Sequence, residues 1–349
     1  MATERNELEL VEVKHFSTTD FRLQSGEVLP ELKLAYETYG ALAPSGRNAI
    51  LVTHGYTSSQ HAAGLDANGE AGWWDGLIGP GKAIDTDKYF VVSSNMLGSS
   101  FGSTAPASIN PKTGAPYGPD FPKYTLVDIV SAQRAMLDSL GVMHLVAVAG
   151  LSFGGYQAFQ WGVTFPDAMS GIVPVVTAPN ATDGERMVAD LRARFEEAPG
   201  WNGGHHYGNA TMLGFMTELR VTTLKRYGIE AELAPRYPDP AKRETVIHQI
   251  AEAWAKVFDP NSLIALAQAR SHYNAEKDFA RIHAKVLYVL SRTDKLFPPS
   301  IAAEVMAKLR AAGVDATYFE IDSDKGHLAS GADSGKWARV LRDFIQRLE

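Results

Sequence analysis

The sequence predicts a mostly parallel, doubly wound α/β sheet with a helical insertion, and three observations carry that expectation. Short continuous apolar runs, from Asn48 to Thr53, His144 to Ala149, Gly171 to Thr177 and Lys285 to Leu290, have the length and composition of strands buried on both faces. Between them lie stretches whose apolar residues recur at helical spacing, the alternation that builds parallel sheets. From about 180 to 280 the strand signal vanishes and only helical periodicity remains. The expected organisation is a core domain of 1–179 and 281–349, interrupted by a helical lid of 180–280.

Residues 8 to 39 alternate, are rich in Val, Leu and Tyr, and are broken by Gly26, so they predict one or two antiparallel strands at a sheet edge. The run from Asn48 to Thr53 ends in His54-Gly55-Tyr56-Thr57, a loop in which His54 reads as an orienting, structural histidine. A turn-rich aromatic loop, 72–81, precedes a strand at 89–93, and the Gly-, Pro- and Ser-rich connection 94–124 is long enough to be a pocket wall. Leu126, Ile129, Val130, Met136, Leu137 and Leu140 mark a helix. In the insertion, Met187, Leu191 and Phe195, then Met212, Phe215, Met216 and Leu219, then Val246, Ile247, Ile250, Trp254, Val257 and Phe258 predict three or four helices. Asp259-Pro260 reads as an N-cap followed by proline at the first helical position. Their apolar faces suit a lid or a contact between two copies of the chain. After the strand at 285–290, a helix over 300–312, a strand over 315–321 and a last helix over 333–348 complete the chain.

The 349 residues are 45% apolar, enough for a large buried core. The start, Met1 to Glu7, has neither a basic segment nor an apolar core, and no run approaches the roughly 18 apolar residues that span a bilayer. A cytoplasmic protein without a membrane partner is the expectation. With no cysteine, disulfides and thiolate chemistry are excluded. The net charge of −7 is spread without long runs, which argues against nucleic acid. Adjacent His205 and His206 lack carboxylates at ligand spacing, so neither a metal nor another cofactor is expected.

Chemistry concentrates at Gly150-Leu151-Ser152-Phe153-Gly154. A valine-rich strand leads in and a helical pattern with Tyr156, Phe159 and Val163 leads out, so Ser152 sits on a sharp strand-to-helix turn, a nucleophile elbow. The pattern has only three fixed positions, and Gly98 to Gly102 repeats it around Ser100. The stretch after Ser100 contains Pro106 and Pro111 and no apolar stripe, so it is a loop and Ser152 is the nucleophile. A serine needs a base, and the base a partner; in α/β-hydrolases the three occur in the order Ser, Asp or Glu, His. Asp294 closes a strand and His327 lies in the loop after the next one. Asp278, Asp322, Asp324, His272 and His283 combine chain order with a post-strand loop less well. The backbone N–H groups of Tyr56 and Phe153 are the expected oxyanion hole.

The chain resembles the homoserine O-acyltransferase family of α/β-hydrolases over most of its length. The resemblance rests on Tyr36-Glu37-Thr38-Tyr39-Gly40, the 72–81 loop with Lys82 to Asp87, Asn95-Met96-Leu97-Gly98 with Gly102-Ser103-Thr104, and Asp120-Phe121-Pro122. It implies the α/β-hydrolase fold and supports Ser152, Asp294 and His327 as catalytic residues, with Tyr56 and Phe153 as oxyanion donors. It also covers Trp201 to Gly204 and Tyr207 in the insertion.

Three positions depart from that family. Leu328 stands where the family has an aspartate for the homoserine amino group. Aligning Met212-Leu213-Gly214 with the family's stretch puts Thr211 in place of an arginine and Glu218 in place of a tyrosine. Buried charges need partners, so these substitutions favour an uncharged ester with water as the acyl acceptor. The expectation is therefore a carboxylic ester hydrolase, a serine esterase of small acetate esters, with Thr211, Glu218, Tyr207 and Leu328 as substrate-pocket candidates. Acetyl transfer from acetyl-CoA to homoserine or another alcohol is the alternative.

Overall fold

The computed structural model describes residue 8, residues 10–209 and residues 211–348. The leader reading of Met1 to Glu7 lies outside the described residues. Among the described residues ten strands appear in chain order: β1 Lys14–Arg22, β2 Val28–Tyr39, β3 Ala49–Thr53, β4 Ile78–Gly79, β5 Ile84–Asp85, β6 Phe90–Ser94, β7 Leu145–Leu151, β8 Met169–Val175, β9 Lys285–Ser291 and β10 Ala316–Ile321. Eight of them form one sheet in the order β1-β2-β6-β3-β7-β8-β9-β10, while β4 and β5 pair separately. β1, β2 and β6 are joined antiparallel and every pairing from β6 to β10 is parallel. This is the expected doubly wound sheet with antiparallel strands at one edge.

The parallel strands are apolar on both faces because both faces are covered. Along β3, Ala49 and Leu51 face one core and Ile50 and Val52 the other, all fully buried. The helices are α1 Leu126–Ser139, α2 Phe153–Thr164, α3 Gly184–Glu196, α4 Met212–Tyr227, α5 Ile229–Leu233, α6 Pro240–Ala255, α7 Pro260–Arg270, α8 Ala302–Ala311, α9 Ala329–Ala332 and α10 Ala338–Gln346. None of the described helices is long and apolar enough to cross a membrane.

Two local expectations change. Among the described residues the stretch between β8 and β9 holds five α-helices, because Gly228, at φ 101, ends α4 and starts α5 in a conformation that glycine tolerates. The last helix begins at Ala338 rather than near 333. Trp337 is fully buried, meets Trp74 edge-on at 5.7 Å and donates Nε1–H to the Ser330 carbonyl at 2.9 Å, which holds the chain in a turn there. The Asp259 cap forms as expected, its carboxylate accepting from the Asn261 N–H at 3.3 Å.

The sheet reverses its winding beside β3, with β6 on one side and β7 on the other, and the crevice beyond the strand ends at such a point is where α/β proteins place ligands. Thr53 pairs with Ser94 on one side and Gly150 on the other, so β3, β6 and β7 end level. Ile321 likewise pairs with Ser291, aligning the ends of β10 and β9. The loops after β3, β7, β9 and β10, which hold the residues expected to be catalytic, leave from this edge.

Candidate active site

Ser152 joins β7 to α2 at φ 55 and ψ −117, a backbone region that L residues rarely occupy. Neighbours over-determine it. The Ser152 N–H donates to the Val175 carbonyl at 2.8 Å, and Thr177 Oγ1 donates to the Ser152 carbonyl at 2.7 Å. The flanking glycines are there for space: a β-carbon on Gly150 would stand 2.1 Å from Thr53 Oγ1, and one on Gly154 would stand 2.0 Å from the Thr53 carbonyl oxygen. Ser152 keeps 9% exposure, so the hydroxyl is presented at the mouth of the crevice.

Asp294 and His327 arrive from the loops after β9 and β10. His327 Nδ1 lies 2.8 Å from Asp294 Oδ2, with both side chains almost wholly buried. The other carboxylate oxygen of Asp294 accepts from the Leu296 and Phe297 N–H groups at 2.8 and 3.3 Å, which fixes its plane. The His327 ring is walled by Tyr227 at 4.9 Å and Phe297 at 5.7 Å. Its loop is fastened by Asp333, which accepts from Ser323 Oγ at 2.6 Å and pairs with Lys325 at 2.9 Å and Lys336 at 3.1 Å. Among the described residues Ser152 Oγ makes no hydrogen bond, and such contacts often tighten only once substrate is present.

Tyr56 and Phe153 stack with ring centroids 5.8 Å apart, which sets the loop after β3 against the start of α2. The Tyr56 hydroxyl donates to the Leu263 carbonyl of α7, tying that loop to the insertion. His54 beneath it is fully buried between two acceptors, the Gly55 carbonyl and Asn95 Oδ1, each at 2.8 Å. Burial pushes its pKa down to about 4, against the pull of those acceptors toward the charged form.

The remaining candidates divide. Tyr207 is part-buried and bonds Asp259 at 3.2 Å, in a cluster where His206 Nε2 also meets Asp259 at 3.2 Å. The carboxylate partner that sequence spacing did not offer His206 thus comes from the cap of α7, well beyond any local motif. Leu328 is part-buried and packs against the apolar cluster formed by Val221, Leu224, Ile229, Leu233, Ile247 and Ala251. Thr211 is exposed, its hydroxyl turned to Asn209 Oδ1 and the Pro199 carbonyl. Glu218 has 70% of its side chain exposed and lies 3.7 Å from His248. The structure does not bring Thr211 or Glu218 into the crevice. Ser100 is buried in its loop, where its hydroxyl accepts from the Asp259 N–H at 2.9 Å.

Sequence reasoning missed Arg220 and Tyr227 on α4. The signal was present: Arg220 continues Met212 and Met216 at four-residue spacing, and Tyr227 lies seven residues further along the same face. Arg220 Nη1 donates to Thr57 Oγ1 at 2.6 Å, and its guanidinium lies 4.8 Å from the centre of the Trp254 ring.

The family profile described as alpha/beta hydrolase fold matches residues 48–331. A homoserine O-acetyltransferase from Symbiobacterium thermophilum is 40% identical, covering 94% of this chain and 92% of its own length. Another from Moorella thermoacetica is 37% identical and covers 93% of each. The solved homoserine O-acetyltransferase from Bacillus anthracis superposes with a TM-score of 0.87 at 29% identity, covering 97% of this chain and 99% of that one. Esterase E22 reaches 0.86 at 29% identity over 96% of this chain and 100% of its own.

These relatives overturn the expectation of a carboxylic ester hydrolase acting on small acetate esters. Proteins 34–40% identical across 93–99% of this chain carry the transferase name. The physical case for hydrolysis also weakens, since two of its three substituted positions, Thr211 and Glu218, lie on exposed surface and a cation it did not consider, Arg220, stands beside the crevice.

Proposed function

The chain belongs to the homoserine O-acetyltransferase family of the α/β hydrolase fold, and on that premise we propose that it moves an acetyl group from acetyl-CoA to the hydroxyl of homoserine or another alcohol. The observation that carries the reading is near full-length identity of 40% to a transferase, joined to a serine on a strained elbow beside a buried His–Asp pair.

Ser152 Oγ attacks the thioester carbonyl while His327 Nε2 takes its proton, and Asp294 holds the imidazole in the tautomer that can accept it. The oxyanion lies against the N–H groups of Tyr56 and Phe153. The C–S bond then breaks, His327 returns the proton to the leaving thiolate, and an acetyl-serine remains. The acceptor hydroxyl repeats the sequence: it gives its proton to His327, forms the new C–O bond, and Ser152 leaves reprotonated. Water must be kept out between the two halves. The helices between β8 and β9 serve as the lid that does this, since α4 reaches the His327 ring through Tyr227 and α7 takes the Tyr56 hydroxyl.

Release of free thiol from acetyl-CoA, followed with and without homoserine alongside mass detection of O-acetylhomoserine, tests the proposal. Acceptor-dependent release with a matching product is expected. Release that ignores every alcohol supplied would overturn it.

A further inference from the structure

Glycine is the residue least able to hold its own backbone, and one stands immediately before the base: Gly326, at φ 56, precedes His327. The position of the imidazole is therefore set by what grips the loop around it. One side of that loop is pressed by the end of α4. A β-carbon on Gly326 would lie 3.1 Å from the Tyr227 carbonyl oxygen, and one on Gly228 would lie 2.8 Å from the Lys325 carbonyl oxygen, so the two segments meet backbone to backbone. The other side faces the loop after β9, which carries Asp294.

Thr293, the residue before Asp294, makes the join on that side. Its Oγ1 donates to the Ser323 carbonyl at 2.9 Å and accepts from the Gly326 N–H at 3.1 Å. One hydroxyl thus spends a donor and an acceptor on the two ends of the segment that leads into the base. The segment is also tied internally, the Lys325 N–H donating to Ser323 Oγ at 3.1 Å and that hydroxyl donating to Asp333 at 2.6 Å. Further out, at the strand ends, the Arg292 N–H reaches the Ile321 carbonyl at 3.1 Å, and its guanidinium pairs with Asp322 at 2.9 Å on open surface. Asp294 is fixed separately, by the Leu296 and Phe297 N–H groups. The 2.8 Å contact between Asp294 and His327 Nδ1 therefore depends on two loops held at one separation. Thr293 spans them from the residue next to the acid to the residue next to the base.

We propose that Thr293 is a positioning residue for the base: its bridging hydroxyl sets the separation of the two loops and so the alignment of His327 with Asp294. The proposal rests on His327 and Asp294 as the pair that activates Ser152 and is independent of which molecule accepts the acyl group. Misplacing a catalytic group by about 1 Å can cost on the order of a hundredfold in rate. The Gly326 N–H lies in an exposed part of its loop, where water can replace the lost partner, so catalysis should suffer more than folding.

Thr293→Val keeps the branched shape and removes both hydrogen bonds, while Thr293→Ser keeps the hydroxyl. Both are compared with wild type in kcat and KM for acetyl transfer and in the rate at which a neutral fluorophosphonate labels Ser152, a readout that needs no acceptor. In Thr293→Val, kcat and labelling should each fall by about tenfold, while KM changes by less than about twofold and the urea midpoint moves by less than about 0.3 M. Thr293→Ser should recover labelling to within about threefold of wild type. A third comparison asks whether Thr293 acts through the pair: in an Asp294→Asn background, Thr293→Val should cost less than about twofold more. Labelling at the wild-type rate in Thr293→Val, no recovery in Thr293→Ser, or the same tenfold loss in the Asp294→Asn background would overturn the proposal and leave Thr293 as a surface turn residue. A labelling defect that Thr293→Ser restores, found in a protein that transfers no acetyl group, would instead sink the transfer reading and leave the positioning role standing.

Discussion

Thr53 Oγ1 donates a hydrogen bond to the Gly154 carbonyl at 2.9 Å, so the strand that leads into the Tyr56 loop is stitched to the helix that follows Ser152. The contact requires β3 and the elbow to touch backbone to backbone. A β-carbon on Gly154 would lie 2.0 Å from the Thr53 carbonyl oxygen and 2.9 Å from that of His54, neither of which can rotate away.

Gly154→Ala should therefore part β3 from α2, lowering stability by about 1–3 kcal/mol and turnover by about tenfold or more as the Phe153 and Tyr56 N–H groups move apart. Urea unfolding and kcat would register both. Gly214→Ala is the control, in a helix where an added β-carbon meets nothing within 4 Å, and it should stabilise by up to about 1 kcal/mol. Equal behaviour of the two variants would rule out crowding at the elbow.

Ser152→Ala removes the hydroxyl proposed to carry the acetyl group. Turnover should fall by about 10⁴-fold or more, the protein should no longer be labelled by a fluorophosphonate, and the melting temperature should not drop. Persistent labelling at full stoichiometry would redirect attention to Ser100, whose hydroxyl the Asp259 N–H already occupies.

Asp294→Asn keeps the volume and the Leu296 contact but presents an amide to His327 Nδ1, favouring the wrong tautomer. A loss of about 10³–10⁴-fold in kcat is expected, with KM changed much less. Because the base is then unable to accept a proton, both half-reactions should slow, so a pre-steady-state burst of thiol release should disappear along with turnover. A retained burst would mean that Asp294 matters only for the second half.

How much of this was legible depended on whether a residue's neighbours are set by the chain itself. The strand from Ala49 to Thr53 was plain because burial on both faces leaves an unbroken apolar run. Ser152 was plain because the elbow demands glycines at fixed offsets. Asp294 and His327 were paired by chain order and by their place in the loops after two successive strands, and the structure holds them 2.8 Å apart. Thr211 and Glu218 were misplaced in the crevice because a matching stretch of helix fixes register but not which residues its packing turns inward. Here α4 buries Met212, Met216, Leu219, Val221 and Leu224 and leaves Glu218 to solvent. The same packing brings Arg220 inward, as its four-residue spacing from Met216 allows, but its partner Thr57 is 163 residues away in the chain, so that spacing does not announce the contact itself. The start of α10 was misjudged for a similar reason, as Trp337 is held by Trp74, which lies far upstream.

His54 should make stability depend on pH in a defined window. Its folded pKa, about 4, lies below the ordinary histidine value of 6.5, because the ring is sealed in the loop after β3 and charging it there lacks water. Between those values the unfolded chain binds a proton that the folded protein does not, so stability is fully present above about 6.5 and declines as pH falls toward 4. At 1.36 kcal/mol per pKa unit, the accumulated loss reaches about 3 kcal/mol near the lower end. The neutral ring gives its one N–H to one of its two acceptors. His54→Asn, which cannot charge, should flatten this slope, although it lowers stability at pH 7 by disturbing the Asn95 contact at 2.8 Å. Urea midpoints at half-unit steps from pH 4.5 to 7, in about six samples per protein, resolve an effect of that size. If the wild-type and His54→Asn slopes run parallel across the window, the acid sensitivity belongs to other groups and His54 is charged or exposed in the folded protein.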